Sequence, residues 1–288
     1  MKKSTVAMIA AGGAAAASIP YFYRQNTDLR CSHYVFRSPK VRGALDGYRI
    51  VQVSDLHNRE LGKGNCHLLA LIEAQRPDLI AITGDLVDSY HPGWDKALRF
   101  CRAAAKIAPC WFVTGNHEHR MSRERLDEFL GKLAEAGVRT LRGQAAELGI
   151  HAGKEGKENP NGAADPTWFR LIGVDCQQGK TDLVRRLMEK RDPEELNILL
   201  SHKPHYAETY QKAGVDLVLT GHAHGGQWRL PAVGGVFAPG QGLLPKYTAG
   251  MYRLGKTVMC VSRGLGNSSF PLRIENKPEL VLITLRNG

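Results

Sequence analysis

Leu79-Ile80-Ala81-Ile82-Thr83-Gly84-Asp85 is an apolar run of strand length that stops on a glycine and delivers a carboxylate. Near-continuous aliphatic runs of this kind suit strands buried on both faces. The same punctuation recurs along the chain. Tyr48-Arg49-Ile50-Val51-Gln52-Val53 leads to Asp55-Leu56-His57, and Cys110-Trp111-Phe112-Val113-Thr114 leads to Gly115-Asn116-His117-Glu118. Leu196-Asn197-Ile198-Leu199-Leu200 leads to Ser201-His202, and Leu217-Val218-Leu219-Thr220 to Gly221-His222-Ala223-His224. Helices are expected between some of these runs, at roughly 67–75, 95–107, 122–136 and 206–213. Strands alternating with helices argue for α/β layering. Ligands in such sheets bind outside the carboxyl ends of the strands. Five motifs far apart in sequence are therefore expected to converge on one site. Glycines at 84, 115 and 221 suit tight turns and close backbone approach.

Asp, His and Asn are oxygen and nitrogen donors, the groups that hold hard or borderline divalent cations. Any one of these motifs occurs by chance, but all five in this order form a signature. On it the chain resembles the calcineurin-like metallophosphoesterases, from about Tyr48 to His224. The resemblance implies an α/β four-layer α-β-β-α sandwich, two central sheets flanked by helices. It implies one divalent cation on Asp55, His57, Asp85 and His224, and a second on Asp85, Asn116, His202 and His222, with Asp85 bridging. A carboxylate has two oxygens, and its charge offsets the repulsion of two cations. Two cations roughly 3.5–4 Å apart can clamp the attacking and leaving oxygens of an in-line displacement, and a hydroxide between them is the implied nucleophile. Manganese, iron, zinc and mixed pairs all suit this donor set. On a regular strand His222 and His224, two apart, would share a face.

His117 takes a different part in the family pattern. It binds no metal and stands by the departing oxygen, as proton donor or as stabiliser of phosphoryl charge. Substrate contacts are assigned to Asn58, Glu118 and Arg263, the last within Ser262-Arg263-Gly264-Leu265-Gly266; Glu118 is also placed to orient His117. His33, His67, His91, His151 and His205 match no motif and read as surface or core residues, while His119 follows the third motif closely enough to meet substrate. Asp88 reads as a turn or cap residue rather than a ligand. Gly221 to Gly226 lacks the lysine and the spacing of a phosphate-cradling P-loop.

Within the family the chain looks like the branch with an N-terminal membrane segment. Some members there are similar to enzymes that cleave the pyrophosphate of UDP-linked diacylglucosamine, which makes a lipid-linked nucleotide a candidate substrate. The expected reaction is hydrolysis of a phosphodiester or pyrophosphate. A protein phosphatase or a nuclease of the same fold is the alternative. The related Ser/Thr phosphatases carry arginine and glycine where this chain has Asp88-Ser89-Tyr90, and that departure counts against a phosphoprotein. No recognisable nucleic-acid module appears, so no specific nucleic-acid partner is assigned. A non-catalytic scaffold would lack a ligand or His117, and none is missing.

The ends are read separately. Lys2-Lys3 precede a run without charge from Ser4 to Tyr23, dense in Ala and Gly. Residues 1–24 are therefore assigned as a signal peptide or an uncleaved membrane anchor. Ala15-Ala16-Ala17 offers small residues for cleavage, while Tyr21-Phe22-Tyr23 suits the interface of an anchor, the preferred reading. Residues 25–47 are taken as a connecting segment and 48–288 as one catalytic domain. Gly153 to Asp165 reads as an exposed loop, and Leu230 to Leu244 as an irregular connection in preference to a substrate-side loop. The protein is expected at a membrane, with the catalytic domain outside the cytoplasm or, alternatively, on the cytoplasmic face. Six cysteines without paired spacing favour a reducing compartment instead, a conflict that the sequence leaves open. A formal charge of +11 implies attraction to anionic partners, among them a phosphate ester or a lipid surface.

Overall fold

Two six-stranded mixed sheets form the centre of the computed structural model, which describes residues 18–91, 93–150, 167–178, 182–189, 192–267 and 270–288. The first sheet has the order β1-β16-β2-β3-β4-β5. Its strands are β1 (Arg30–Arg37), β2 (Arg49–Val53), β3 (Leu79–Thr83), β4 (Cys110–Val113), β5 (Val138–Thr140) and β16 (Glu279–Arg286). The second has the order β14-β15-β9-β8-β7-β6, from β6 (Gln144–Ile150), β7 (Thr167–Gly173), β8 (Leu196–Leu200), β9 (Leu217–Thr220), β14 (Gly250–Leu254) and β15 (Thr257–Val261). Strands β2 to β5 run parallel, as do β15, β9, β8 and β7.

Side chains alternate across each strand, and the alternation assigns each apolar residue to a layer. Ile50, Leu79, Ala81, Trp111 and Val113 meet Leu171, Ile198, Leu200, Leu217 and Leu219 in a core between the sheets. Their neighbours Val51, Val53, Ile80, Ile82 and Phe112 face outward onto α2 (Cys66–Ala74), α3 (Asp95–Ala104) and α4 (Arg123–Glu135). On the far side Leu199, Val218, Met259 and Val261 pack on α5 (Leu183–Glu189) and α6 (Ala207–Ala213). The result is the expected α-β-β-α sandwich. Gln52 ties the two sheets together at one end, donating to Thr83 Oγ1 at 2.9 Å and to the Thr220 carbonyl at 2.8 Å. The carboxyl ends of β2, β3 and β9 therefore lie at the same place.

The 25–47 stretch differs from its reading as a connector. It contributes β1, which pairs with β16 over its whole length and closes the edge of the first sheet. Ahead of it a helix described over residues 18–27, α1, docks on the domain through Tyr21 Oη to Glu275 and the Gln25 side chain on the Asn276 N–H. The charge-free N-terminal run lies outside the described residues up to 17, as does the Gly153–Asp165 loop. Among the described residues no helix is long and apolar enough to cross a membrane. Leu230–Leu244, expected as irregular, holds two short hairpins: β10 (Arg229–Leu230) with β11 (Gly234–Gly235), and β12 (Phe237–Ala238) with β13 (Gly242–Leu243).

Candidate metal centre

Each candidate ligand sits just beyond a strand end, and five of the seven lie in sparsely populated backbone. Asp55, His57 and Asp85 have φ of 52°, 49° and 49°, and His222 and His224 have 64° and 46°. Left-handed backbone in residues other than glycine is uncommon and persists only where the surroundings over-determine it, characteristically at functional sites. This corrects the expectation that His222 and His224 share a strand face: β9 ends at Thr220, and both residues lie in a left-handed turn. They are directed into different ligand groups. The glycines permit the crowding. A Cβ on Gly115 would lie 2.2 Å from Asp85 Oδ1, and one on Gly84 would lie 2.6 Å from His202 Nδ1.

Overlapping groups of donors result: the two expected ones, and a third of His57, Asp88 and His117 that adjoins them through His57. Ligand atoms of Asp55, His57, Asp85 and His224 lie within 4.8 Å of one another, and so do those of Asp85, His202 and His222. Asp85 belongs to both. Asn116 joins the second group, its Oδ1 3.2 Å from His202 Nε2. Around these donors the packing fixes orientation. Asp55 accepts the Ser54 hydroxyl at 2.5 Å and the His222 N–H at 3.0 Å. His202 sets Nδ1 2.7 Å from the Thr83 carbonyl, which turns Nε2 toward Asp85 Oδ2 at 3.2 Å. Such outer contacts fix the tautomer and aim of a metal-binding imidazole.

The residues fit a pair of divalent cations. His57 Nε2 and His224 Nε2 face each other at 3.3 Å, and the Nδ1 of each ring is buried with no hydrogen-bond partner among the described residues. Two imidazole nitrogens turned together beside two carboxylates form a donor set in search of a cation. Burial pushes His57 down to about 4 and His224 down to about 3, and drives His222 well below its ordinary value. All three are neutral at pH 7, the form that binds metal. At His202 burial also opposes charge, but the Asp85 carboxylate outweighs it and lifts the ring to about 9. Without a cation, that proton neutralises the shared carboxylate.

His117 lies at the edge of the first group, its ring 4.5 Å from that of His57. The Ser89 backbone N–H points at Nδ1 from 3.0 Å, and Asp88 Oδ1 stands 3.3 Å from the same atom. Asp88 is the turn residue it was read as, accepting the Tyr90 N–H at 3.0 Å. It also faces His117, a role that the turn pattern alone does not disclose. The spacing Gly84-Asp85-x-x-Asp88 was the available signal. Arg120 was missed as well: its Nη1 lies 3.4 Å from His117 Nε2.

The three assigned substrate contacts fare differently. Glu118 is wholly buried, and its oxygens accept the N–H groups of Asp85 (3.0 Å), Leu86 (2.8 Å), Val87 (3.2 Å) and Gly115 (2.7 Å). It is a brace for the Asp85 loop, not a substrate contact. Burial and then Asp85 raise it to about 7, against the pull of the Val87 and Gly115 donors. Arg263 turns its Nε toward Glu279 Oε1 at 3.6 Å, and its backbone N–H donates to the same carboxylate. Those described contacts hold β16 rather than the donor groups. Asn58 borders the site, but its amide donates to the Gly93 carbonyl at 2.8 Å. His119 meets Thr114 and Asp175, not a metal group.

An α/β sandwich that gathers two overlapping sets of carboxylate and imidazole donors at shared strand ends has the architecture of a metal-dependent hydrolase. The profile of the calcineurin-like phosphoesterases matches residues 48–226, and the chain belongs to that family. It is a metal-dependent hydrolase of phosphoric esters. YkuE of Bacillus subtilis (strain 168), named a metallophosphoesterase, is 29% identical over 289 residues, covering 96% of this chain and 93% of its own. The phosphodiesterase YaeI of Escherichia coli (strain K12) is 29% identical over 250 residues, covering 83% and 82%. A transmembrane protein with metallophosphoesterase domain from Danio rerio is 27% identical over 263 residues, covering 86% of this chain and 55% of that protein. The family uses a binuclear divalent metal centre, and the donor cluster here can hold one.

Proposed function

We propose that this chain hydrolyses a phosphodiester or pyrophosphate, with two divalent cations held by Asp55, His57, Asp85 and His224 and by Asp85, Asn116, His202 and His222. The observation that carries the reading is the sharing of Asp85 between both donor groups. When bound, such a pair supplies Lewis acidity and an activated water. The chain's own residues do the rest. Asp85 offsets the charge of both cations, Glu118 holds the Asp85 loop rigid, and His117 presents Nε2 to the departing oxygen.

The substrate reading rests on three supports. YaeI is named a phosphodiesterase. Where phosphoprotein phosphatases carry arginine after the second motif, Ser89 here is engaged with His117 through both its N–H and its hydroxyl (3.0 and 3.1 Å). The N-terminal run without charge, together with the +11 formal charge, suits a lipid-linked anionic substrate at a membrane. In this reading residues 1–24 tether the catalytic domain to a bilayer, on the extracytoplasmic side in preference to the cytoplasmic one.

The test compares kcat/KM for a lipid-linked nucleotide pyrophosphate, an aryl phosphodiester, an aryl monoester and a phosphopeptide, on protein loaded with manganese, iron or zinc. Diesters or pyrophosphates are expected to lead. A monoester or phosphopeptide ahead by tenfold, about 1.4 kcal/mol in the transition state, refutes the substrate assignment while leaving the metal sites standing.

A further inference from the structure

Leu230 to Pro245 is a stretch of sixteen residues without one charged side chain, set between Arg229 and Lys246. In a chain with this charge such a stretch would ordinarily be buried. Here it is folded into the two hairpins and turned outward: Leu230, Val233, Phe237, Leu243 and Leu244 are all exposed, the last two by 77% and 69%. Contiguous apolar surface of this kind marks an interaction site rather than ordinary scatter.

The patch is continuous with two other segments. Trp228 stands edge-on to Phe270 at 5.2 Å, donates to the Leu272 carbonyl and bridges to Ile274. Phe270 and Leu272 are exposed as well. Next to Ile274, Glu275 receives the Tyr21 hydroxyl of α1, whose Ile19 and Tyr23 also face solvent. α1 therefore meets the domain beside the strip on which Trp228 packs. This face borders the metal centre. Asn276 donates to the His224 and Gln227 carbonyls, and Gly240 packs on His205, whose ring lies 5.7 Å from that of His222.

We propose that α1, the 270–275 strip and hairpins β10–β13 form one membrane-seating face, which inserts apolar side chains into an anionic bilayer beside the metal centre. A bilayer is the occupant that matches both the apolar tips and the exposed basic residues at their margin, Arg24 and Lys246. The proposal deepens the lipid-linked reading above and rests on it only for the benefit to catalysis. Seating would let a lipid-linked phosphoester reach the site without leaving the membrane.

The test uses the full chain with phosphatidylcholine–phosphatidylglycerol vesicles whose acyl chains carry bromine. Bromine quenches indole only on contact, and the difference between wild type and Trp228→Phe isolates the emission of Trp228. Quenching is expected in wild type and is expected to vanish in Leu243→Asp/Leu244→Asp. Leu244 has φ +51°, a conformation that Asp tolerates better than Leu, so this variant should fold. Its turnover of a soluble aryl diester should be unchanged. Turnover of a lipid-linked pyrophosphate presented in vesicles should fall roughly tenfold or more, since two buried leucines contribute at least that much. Unquenched Trp228 in vesicle-bound wild type, or a second copy of the chain covering this face in solution, overturns the proposal. Quenching without turnover of the lipid-linked substrate upholds the seating and removes the substrate assignment instead.

Discussion

The carboxylate of Asp85 accepts the backbone N–H of His117 at 2.8 Å. The residue common to both donor groups is thereby fixed to the residue assigned to the departing oxygen. Any shift of one moves the other, and both loops hang on Glu118.

His117→Ala should keep the metals and lower kcat by about 10²–10⁴-fold on a substrate whose leaving group needs a proton. The loss should shrink for an activated aryl leaving group. Asp88→Asn should show a weaker version of the same split, because it removes the carboxylate 3.3 Å from Nδ1. Equal losses across leaving groups would exclude proton donation and leave only stabilisation of phosphoryl charge.

Glu118→Ala removes the acceptor from four buried backbone N–H groups. Each such group left unsatisfied costs about 1–3 kcal/mol, so a loss of at least about 3 kcal/mol in unfolding free energy is expected. Glu118→Gln keeps one oxygen and should fall between. Denaturant unfolding of the metal-free variants measures this; a change below about 0.5 kcal/mol would mean that the brace carries no load.

Metal affinity should rise with pH. In the metal-free protein His202 is lifted to about 9 by Asp85, so a cation must displace a proton there. Affinity for the second site should climb steadily from pH 7 and level off near pH 9. His57 and His224, already neutral well below that range, should add no slope. Calorimetry in buffers of different ionisation enthalpy reads the released proton. Uptake without proton release at pH 7 would contradict the pairing of His202 with Asp85.

Removal of residues 1–24 should leave an active enzyme. The first candidate ligand is Asp55, and among the described contacts the truncation severs the exposed hydrogen bond from Tyr21 to Glu275 and the local bonds of Asn26, Thr27 and Asp28 to the Phe22, Tyr23 and Arg24 carbonyls, while Gln25 and β1 remain. The full chain should fractionate with membranes. A full chain found wholly in the soluble fraction would refute the tether.

What the sequence disclosed follows the physics of burial. Strands β2, β3, β4, β8 and β9 are enclosed on both faces, so they appear as apolar runs, and their ends carry the ligands. β1, Arg-Cys-Ser-His-Tyr-Val-Phe-Arg, lies at a sheet edge and mixes polar with apolar residues, and its pairing with β16 joins the two ends of the chain. No local pattern announces such a pairing. The ligand histidines were legible as a set, but the left-handed backbone of His57, His222 and His224 was not, because the partners that hold such backbone, Asp55 on the His222 N–H and Asn276 on the His224 carbonyl, come from distant sequence. Glu118 was misread for a similar reason: acidic residues are usually exposed, and only the fold reveals four N–H groups converging on this one.

The metal content and turnover of Asp85→Asn test the central claim most directly. Wild type should bind two divalent cations per chain and hydrolyse an aryl diester. The variant should bind at most one, because the charge that lets two cations sit together is gone, and turnover should disappear with it. Two cations bound by Asp85→Asn with near-normal turnover would contradict a centre built around a shared carboxylate.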